Sequence, residues 1–441
     1  MPRDTPRLTR PARRLLIVVR ADPVICGHAG EARNLAEVAL SRGFDDVRLI
    51  TWPLDVLAGA GLPMKPLESV LPYSPGITVE RPQPVGDYRV PDGRYTTGLT
   101  GRLVELFADG VPTICMSMYL TPHTTVVMDA LNIARSAGFG FHVQTIAEAV
   151  GSDVTNVVRS CLRTGQLGAA VALFSTYLAN DKCVAVSAYT RELIVASARE
   201  VDLRCGTRLA GECERRISVS YPAVDASAFR NLDPSWVDDV LGRRGLVRDG
   251  YVLFLSRVTR AKGVDDLVAA FRASASGRSR RLVIAGRSPA LEDIQEMTKG
   301  DRGVLLLDDV TDEEKPALMA GCAAFALPSK PAPDFIETFG IALVEKMLAG
   351  GGPVITTDTG GIPEAVGDTA LQVPVGDIPA LAATIDHAVL DMSADDRSAL
   401  AERAIQHALQ FDRTTVFDRL FADMTLAAAG SRATLRRHAG R

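Results

Sequence analysis

The sequence predicts an α/β protein of two doubly wound, parallel-sheet domains facing each other across a cleft. Three observations carry this. The chain has 441 residues, more than one ordinary core accommodates. Short continuous apolar runs such as RRLLIVV (13–19) and YVLFLS (251–256) alternate with stretches of helical spacing. The alternation occurs twice, on either side of an irregular stretch around 222–249.

In the first half, RRLLIVV has the apolar continuity of a strand buried on both faces. RADPVICGHAG reads as the loop after it. EARNLAEVALSRG reads as a helix with Leu35, Val38 and Ala39 on its apolar face, closing on Gly43. VRLITW (47–52) is the next strand. Residues 53–98 are rich in Pro and Gly, and read either as an ordered excursion at an active-site mouth or as a passive surface insertion. TGRLVELFADG, VPTICMSMY, VVMDALNIARSAG and FHVQTI follow as helix, strand, helix and strand, with His142 inside the last. KCVAVS (182–187) is a strand backed by the helix AYTRELIVASARE, and RRISVSYPAVDASAF carries a strand into a Pro turn.

The second half repeats the cycle. YVLFLS, RRLVIAG (280–286), VLLLDDV (304–310), AAFALPS and PVITT (353–357) read as strands. DDLVAAFRASA, EEKPALMAGC and IALVEKMLAG read as the intervening helices. The organisation expected is two Rossmann-like domains over 13–230 and 231–412, and a terminal helix over 413–430 returning toward the first domain. Flexible tails are expected at 1–12 and 431–441.

Composition narrows the function classes. An apolar fraction of 47% with 23% charged residues is that of a globular protein. A net charge of −4 disfavours nucleic acid as a partner. No apolar run reaches the roughly 18 residues that a membrane span needs, and LLIVV is too short for a signal-peptide core. Seven scattered cysteines with no C-x-x-C pair fit reduced thiols and a cytoplasmic location.

The candidate chemistry lies in ETFGIALVEKMLAGGGPVITTDTGGIPEA, residues 337–365. Glu337 precedes a helix that follows a strand, and Glu345 lies inside that helix. Ligands of open α/β sheets bind at such strand ends, beside helix N-termini, and two carboxylates can accept hydrogen bonds from paired hydroxyls. The same spacing would also suit two solvated glutamates on an amphipathic helix. Arg257 and Lys262, five apart after YVLFLS, suit a diphosphate or form a solvated basic turn. GHAGE (27–31) is glycine-rich between strand and helix, where backbone amides can approach an anion, but it is not G-x-G-x-x-G.

FLSRVTRAKGVDDLVAAF, RLVIAGRSP, VTDEEKPALMAGC, ETFGIALVEKMLAGGGPVITTDTGGIPEAV and LQVPVGD together resemble the retaining glycosyltransferases of family GT4, with the GT-B fold. The resemblance runs from residue 13 to about 420 and is strongest in the C-terminal half. It implies a nucleotide-sugar donor site in the C-terminal domain and an acceptor site in the N-terminal one. Arg257 and Lys262 would hold the donor diphosphate, Glu337 the sugar hydroxyls and Glu345 the ribose. The backbone at Phe339 and Gly340 would assist, Gly27 and Gly30 would approach the phosphate across the cleft, and Val310 and Ile341 would join the donor set. Neither metal nor other cofactor is implied, and LDD (307–309) is out of place for a D-x-D element.

One departure stands out. Where many relatives carry T-x-H, this chain has VQTIAEAVG, with Ala147 at the histidine position. His123 and Glu148 are the candidate substitutes, and an acceptor needing less base assistance, such as sulfur or an amine, is the alternative. VTDEEK resembles the base-side loop of GDP-mannose-dependent enzymes, with Lys315 at its lysine, which favours GDP over UDP; a helix start with Lys315 in solvent reads equally well. The expected partners are the nucleotide sugar and a small-molecule acceptor of specialised metabolism, and a homodimer is compatible with the sequence. A glycan or glycolipid acceptor is the alternative within the family. A sugar-nucleotide binding protein, epimerase or phosphorylase is the alternative outside it.

Overall fold

The computed structural model describes residues 12–83, 93–287, 291–333 and 335–424. The expected tails at 1–12 and 431–441 lie almost wholly outside these residues, as does the Pro/Gly stretch at 84–92.

The first sheet contains β1 (Arg14–Val18), β2 (Asp46–Ile50), β3 (Ile77–Glu80), β4 (Thr113–Met118), β5 (Val143–Ala149), β6 (Lys182–Ala185) and β7 (Ile217–Val219). The second contains β8 (Tyr251–Leu255), β9 (Arg281–Ala285), β10 (Val304–Leu307), β11 (Ala324–Leu327), β12 (Val354–Thr357) and β13 (Leu371–Val373). Their orders are β3-β2-β1-β4-β5-β6-β7 and β10-β9-β8-β11-β12-β13. The strand pairs run parallel. In each sheet the order reverses beside the first strand, so crevices open at the C-terminal ends of β1/β4 and β8/β11.

The apolar runs explain the cores. Helices cover both faces of a parallel sheet, so consecutive residues are buried rather than alternate ones. Leu15, Leu16, Ile17 and Val18 are all inaccessible, as are Val252, Leu253 and Phe254. Each such side chain contributes roughly 1.5–3 kcal/mol relative to exposure.

Several elements differ from the expectation. GHAGE is the opening of the helix Gly27–Ser41 rather than a loop. Residues 53–98 hold a short helix, Leu54–Gly59, and the strand β3. β3 is a four-residue, half-buried edge strand, too short and too polar to show a period. His142 precedes β5, where its carbonyl accepts from Thr113 N–H at 3.1 Å. The stretch 222–249 is not irregular: it forms the helices Ala226–Phe229 and Pro234–Arg243, whose Phe229, Val237, Val240 and Leu241 join the core of the second sheet. The strand β13 and the helices Arg159–Thr164, Leu167–Leu178, Leu291–Met297, Ile378–Asp386 and Ala394–Ala408 are further elements that periodicity does not mark.

The chain crosses between the sheets twice, at 222–226 and 411–413. Val224 N–H donates to Phe411 O (2.9 Å) and Arg413 N–H to Val224 O (2.8 Å). The helix Arg413–Phe421 then lies against the helix Gly27–Ser41, placing Val416, Phe417 and Leu420 in the first domain's core. Phe44 and Phe417 meet edge-to-face at 6.2 Å, and Arg42 pairs with Asp418 at 2.7 Å. All seven cysteines are free thiols. Among the described residues, no helix is long and apolar enough to cross a membrane.

Candidate active site

Two acid–base pairs flank the start of the helix Ile341–Ala349. Lys262 ends a short turn, Arg260–Lys262, after β8. Its Nζ is hydrogen-bonded to Glu337 Oε2, and the two residues are only 8% and 9% exposed. Behind them lies Phe335, whose ring centre is 5.1 Å from Lys262 Nζ and 5.9 Å from the Arg257 guanidinium. One aromatic face thus gathers both cations by cation–π attraction. In the second pair, Lys315 Nζ donates to Glu345 Oε1 at 2.8 Å and lies 5.6 Å from the Phe229 ring. Glu337 and Glu345 are therefore the partners of two of the cations read from sequence, Lys262 and Lys315. Val310 packs partly buried against the second domain's core.

Between the pairs, Gly340 has φ +103° and starts the helix, with Ile341 as its first residue. The Phe339 side chain is buried between Tyr221 (5.5 Å) and Phe411 (5.0 Å), so only its backbone can serve a ligand. Gly360 and Gly361 explain the bare backbone of TGGIPE. A Cβ on either would fall 2.0 Å from the carbonyl oxygen of Glu337 or Thr338, and Gly361 N–H donates to Glu337 O at 2.9 Å. These glycines brace the Glu337 loop.

Glu364 has a different task from the other two glutamates. Its carboxylate accepts from Ala188 N–H (2.7 Å) and Tyr189 N–H (2.8 Å), at the N-terminus of the helix Ala188–Cys205 in the first domain. That position suits a negative charge through the unpaired amides and the helix dipole. Thr338 Oγ1 donates to Val150 O across the same boundary (3.0 Å), and Lys65 bridges Asp22 (3.1 Å) to Asp312 (2.6 Å).

The first domain presents the start of the helix Gly27–Ser41 to this face. A Cβ on Gly27 would come within 2.8 Å of Ile341 Cδ1, whereas one on Gly30 would meet nothing within 4 Å. His28, Glu31 and Glu148 converge here, each offering one ligand atom within 4.8 Å of the others. Glu31 Oε1 accepts from Ala223 N–H at 3.3 Å, while Glu31 Oε2 and both Glu148 oxygens are buried without a hydrogen-bond partner. Burial pushes the Glu31 carboxyl up to about 8, against the opposing Ala223 N–H. Burial, then the charges of Glu31 and Asp153, raises Glu148. Burial, with Arg20 and Arg257 nearby, pushes His28 down to about 3. Asp153 accepts four backbone N–H groups, from Leu120, Val150, Gly151 and Val154, and so fixes the loop beyond β5.

His123 is buried in the turn after β4, edge-to-face with Trp52 at 4.9 Å and Tyr119 at 5.9 Å. Neither ring nitrogen has a hydrogen-bond partner, and burial, then Arg20 and His28, holds it neutral. Ala147 is wholly buried within β5. His142 is at the other end of that strand and takes no part. Sequence reasoning missed His28 and Glu31; their i, i+3 spacing, which puts them on one helix face, was the available signal.

These groups make opposed contributions to stability with pH. Glu31, raised from 4.5 to about 8, stabilises the fold fully below about 4.5, and this contribution is lost as pH rises through about 8. His28, lowered from 6.5 to about 3, stabilises above about 6.5, and this contribution is lost as pH falls through about 3. Relative to the parent protein, Glu31→Gln should therefore raise the thermal midpoint more at pH 8 than at pH 5, and His28→Asn more at pH 5 than at pH 8. Each group contributes at most about 1.4 kcal/mol per pH unit. Parallel parent and variant curves across this range would exclude both assignments.

Comparison with known proteins agrees with this architecture. Residues 249–391 match the family model of glycosyl transferases group 1. The chain is 34% identical over 263 residues to D-inositol 3-phosphate glycosyltransferase 1 of Catenulispora acidiphila, covering 56% of this chain and 60% of the relative. It is 32% identical over 233 residues to the GDP-mannose-dependent alpha-(1-6)-phosphatidylinositol monomannoside mannosyltransferase of Mycobacterium tuberculosis, covering 50% and 52%. The chain thus spans about half the length of the curated relatives it matches. In fold it is similar to Anabaena HepE in complex with UDP-glucose (TM-score 0.65, 17% identity, covering 93% of this chain and 98% of that one). It is similar also to a glycosyltransferase from Rickettsia africae (TM-score 0.66, 16% identity, 93% and 97%). Residues 249–391 of this chain are thus similar to the glycosyl transferases of group 1, and the chain has the GT-B fold of two parallel-sheet domains.

Proposed function

We propose that the protein transfers a glycosyl group, with retention of configuration and without a metal, from a nucleoside-diphosphate sugar to a small-molecule acceptor. The observation that carries this is the pairing of Lys262 with Glu337 and Lys315 with Glu345 on either side of one helix N-terminus, with Arg257 beside them. The two pairs are formally neutral, so Arg257 and the amides at Gly340 and Ile341 leave the site net positive, which suits a diphosphate. Arg257 and Lys262 hold the diphosphate and stabilise the charge it gains on leaving. Glu337 turns to the sugar hydroxyls and Glu345 to the ribose, with Val310 and Lys315 on the base side. Gly30 leaves the facing helix end open to the phosphate, while Gly27, close against Ile341, offers its backbone amide.

In the transfer, the bond from the anomeric carbon to the phosphate oxygen breaks with its electron pair on oxygen. The acceptor atom bonds to the same face, and its proton passes to the departing phosphate. His123, neutral and buried, and Glu148 are positioning candidates on the acceptor side. Ala147 offers no hydrogen bond there, which favours an acceptor that loses its proton readily, a sulfur nucleophile of specialised metabolism among them. GDP is favoured over UDP on the VTDEEK loop and on the GDP-mannose dependence in the name of the mycobacterial relative.

A glycolipid acceptor is supported less well. The exposed apolar side chains Ile133, Phe139 and Phe141 lie near the start of β5, whereas Glu148 is near its end. The test is to measure thermal midpoints with GDP and UDP and nucleotide release from their sugars, with and without EDTA. GDP should raise the midpoint more, and slow donor hydrolysis should survive EDTA. No shift with either nucleotide and no hydrolysis would overturn the reading. Nucleotide binding without any turnover would favour a binding protein.

A further inference from the structure

The acceptor half of the site holds more unmet hydrogen-bond acceptors than the protein itself can fill. Glu148 is wholly buried, and neither of its oxygens has a hydrogen-bond partner; nor has Glu31 Oε2. His28, on the same helix face as Glu31, adds a ring nitrogen. Gly30, exposed two residues from His28 and with nothing within 4 Å of where a Cβ would lie, leaves an approach from the cleft.

We propose that His28, Glu31 and Glu148 form the seat of an ammonium group, so that the acceptor is a small molecule carrying a protonated amine. That this molecule is an acceptor rests on the glycosyltransfer reading above; the seat itself does not. An R–NH3+ group has three N–H donors, and the three residues offer one acceptor atom each within 4.8 Å of one another. Hydrogen bonds of about 2.8 Å in tetrahedral directions place three acceptors about 4.6 Å apart. Burial, then the nearby Glu31 charge, raises the affinity of Glu148 for protons, and a bound cation offsets both. The neutral state of His28 leaves its ring able to accept one hydrogen bond. The ammonium here is the handle by which the molecule is held, not the atom that attacks.

The experiment uses matched acceptors that exchange –NH3+ for –OH: cysteamine with 2-mercaptoethanol, and glucosamine with glucose. The amine of at least one pair should bind saturably by calorimetry and be used with a kcat/KM about 10- to 100-fold above its partner. In Glu148→Gln, which keeps the side chain's shape, both the binding and the preference should fall to within about threefold of the hydroxyl compound's. Glu31→Gln serves as the second variant should the first lose its native circular dichroism. Equal binding of amine and hydroxyl compounds, no saturable amine binding, or a preference unchanged in both variants would overturn the proposal. So would micromolar Zn2+ or Mn2+ raising the thermal midpoint of the parent but not of His28→Ala, which would assign the cluster to a metal ion. Donor hydrolysis without acceptor is read in parallel: its absence removes the transferase reading, while calorimetry still decides the seat.

Discussion

Lys262→Ala is expected to lower turnover by about two to three orders of magnitude, the scale seen when one preorganised donor to a developing negative charge is removed. Lys262 is almost buried, shares the Phe335 face with Arg257 and is hydrogen-bonded to Glu337. A cation so placed acts in a lowered dielectric, where its effect on leaving-group charge exceeds what it would have in water. The same burial adds a stability effect. Removing the lysine strands Glu337 as an unpaired carboxylate, and breaking a buried pair from one side costs about 3–5 kcal/mol. The two effects separate in the double variant Lys262→Ala/Glu337→Gln, which should recover most of the thermal midpoint but none of the turnover. Lys262→Ala with full turnover would remove the lysine from the phosphate site.

Glu345→Ala is expected to weaken binding of the free nucleoside diphosphate by roughly 10- to 100-fold, the value of a hydrogen bond to a charged group. Glu337→Ala should leave free nucleotide within a few-fold and instead impair the intact sugar donor. The reasoning is positional. Glu345, inside the helix, is bonded to Lys315, which begins the helix Lys315–Gly321 on the loop proposed to face the base. Glu337 precedes the helix Ile341–Ala349 and pairs with Lys262, the residue proposed to hold the phosphate. Calorimetry with GDP, UDP and their sugars on both variants decides the matter. Equal loss of free-nucleotide affinity in the two variants would show that the proposed division between ribose and sugar is wrong.

Both predictions concern residues that are legible in the sequence alone. Arg257, Lys262, Glu337 and Glu345 stand out because each lies in the loop after an apolar strand run or within the helix that follows it, and both features are local. The strands are legible for the same reason: a parallel strand covered on both faces is a continuous apolar run, as in β1 and β8. Where that condition fails, so does the reading. β3 is a half-buried edge strand of four residues, and the helices Ala226–Phe229 and Pro234–Arg243 are short and lie among prolines that look like punctuation.

What the sequence determined by itself was the α/β class, the doubled alternation and the C-terminal glutamates and cations. What only the tertiary structure decided was the partnership of groups far apart in the chain. Glu364 looks in sequence like a third member of the glutamate set, yet it caps a helix of the other domain at Ala188 and Tyr189. Gly360 and Gly361 look like a ligand loop, yet their missing Cβ atoms admit the carbonyls of Glu337 and Thr338. His28 and Glu31 meet Glu148 only because β5 ends beside the helix that starts at Gly27. Spacing along a chain encodes which face of its own element a side chain occupies. It carries no record of which unmet acceptor a second element, more than a hundred residues away, brings to the same few ångströms.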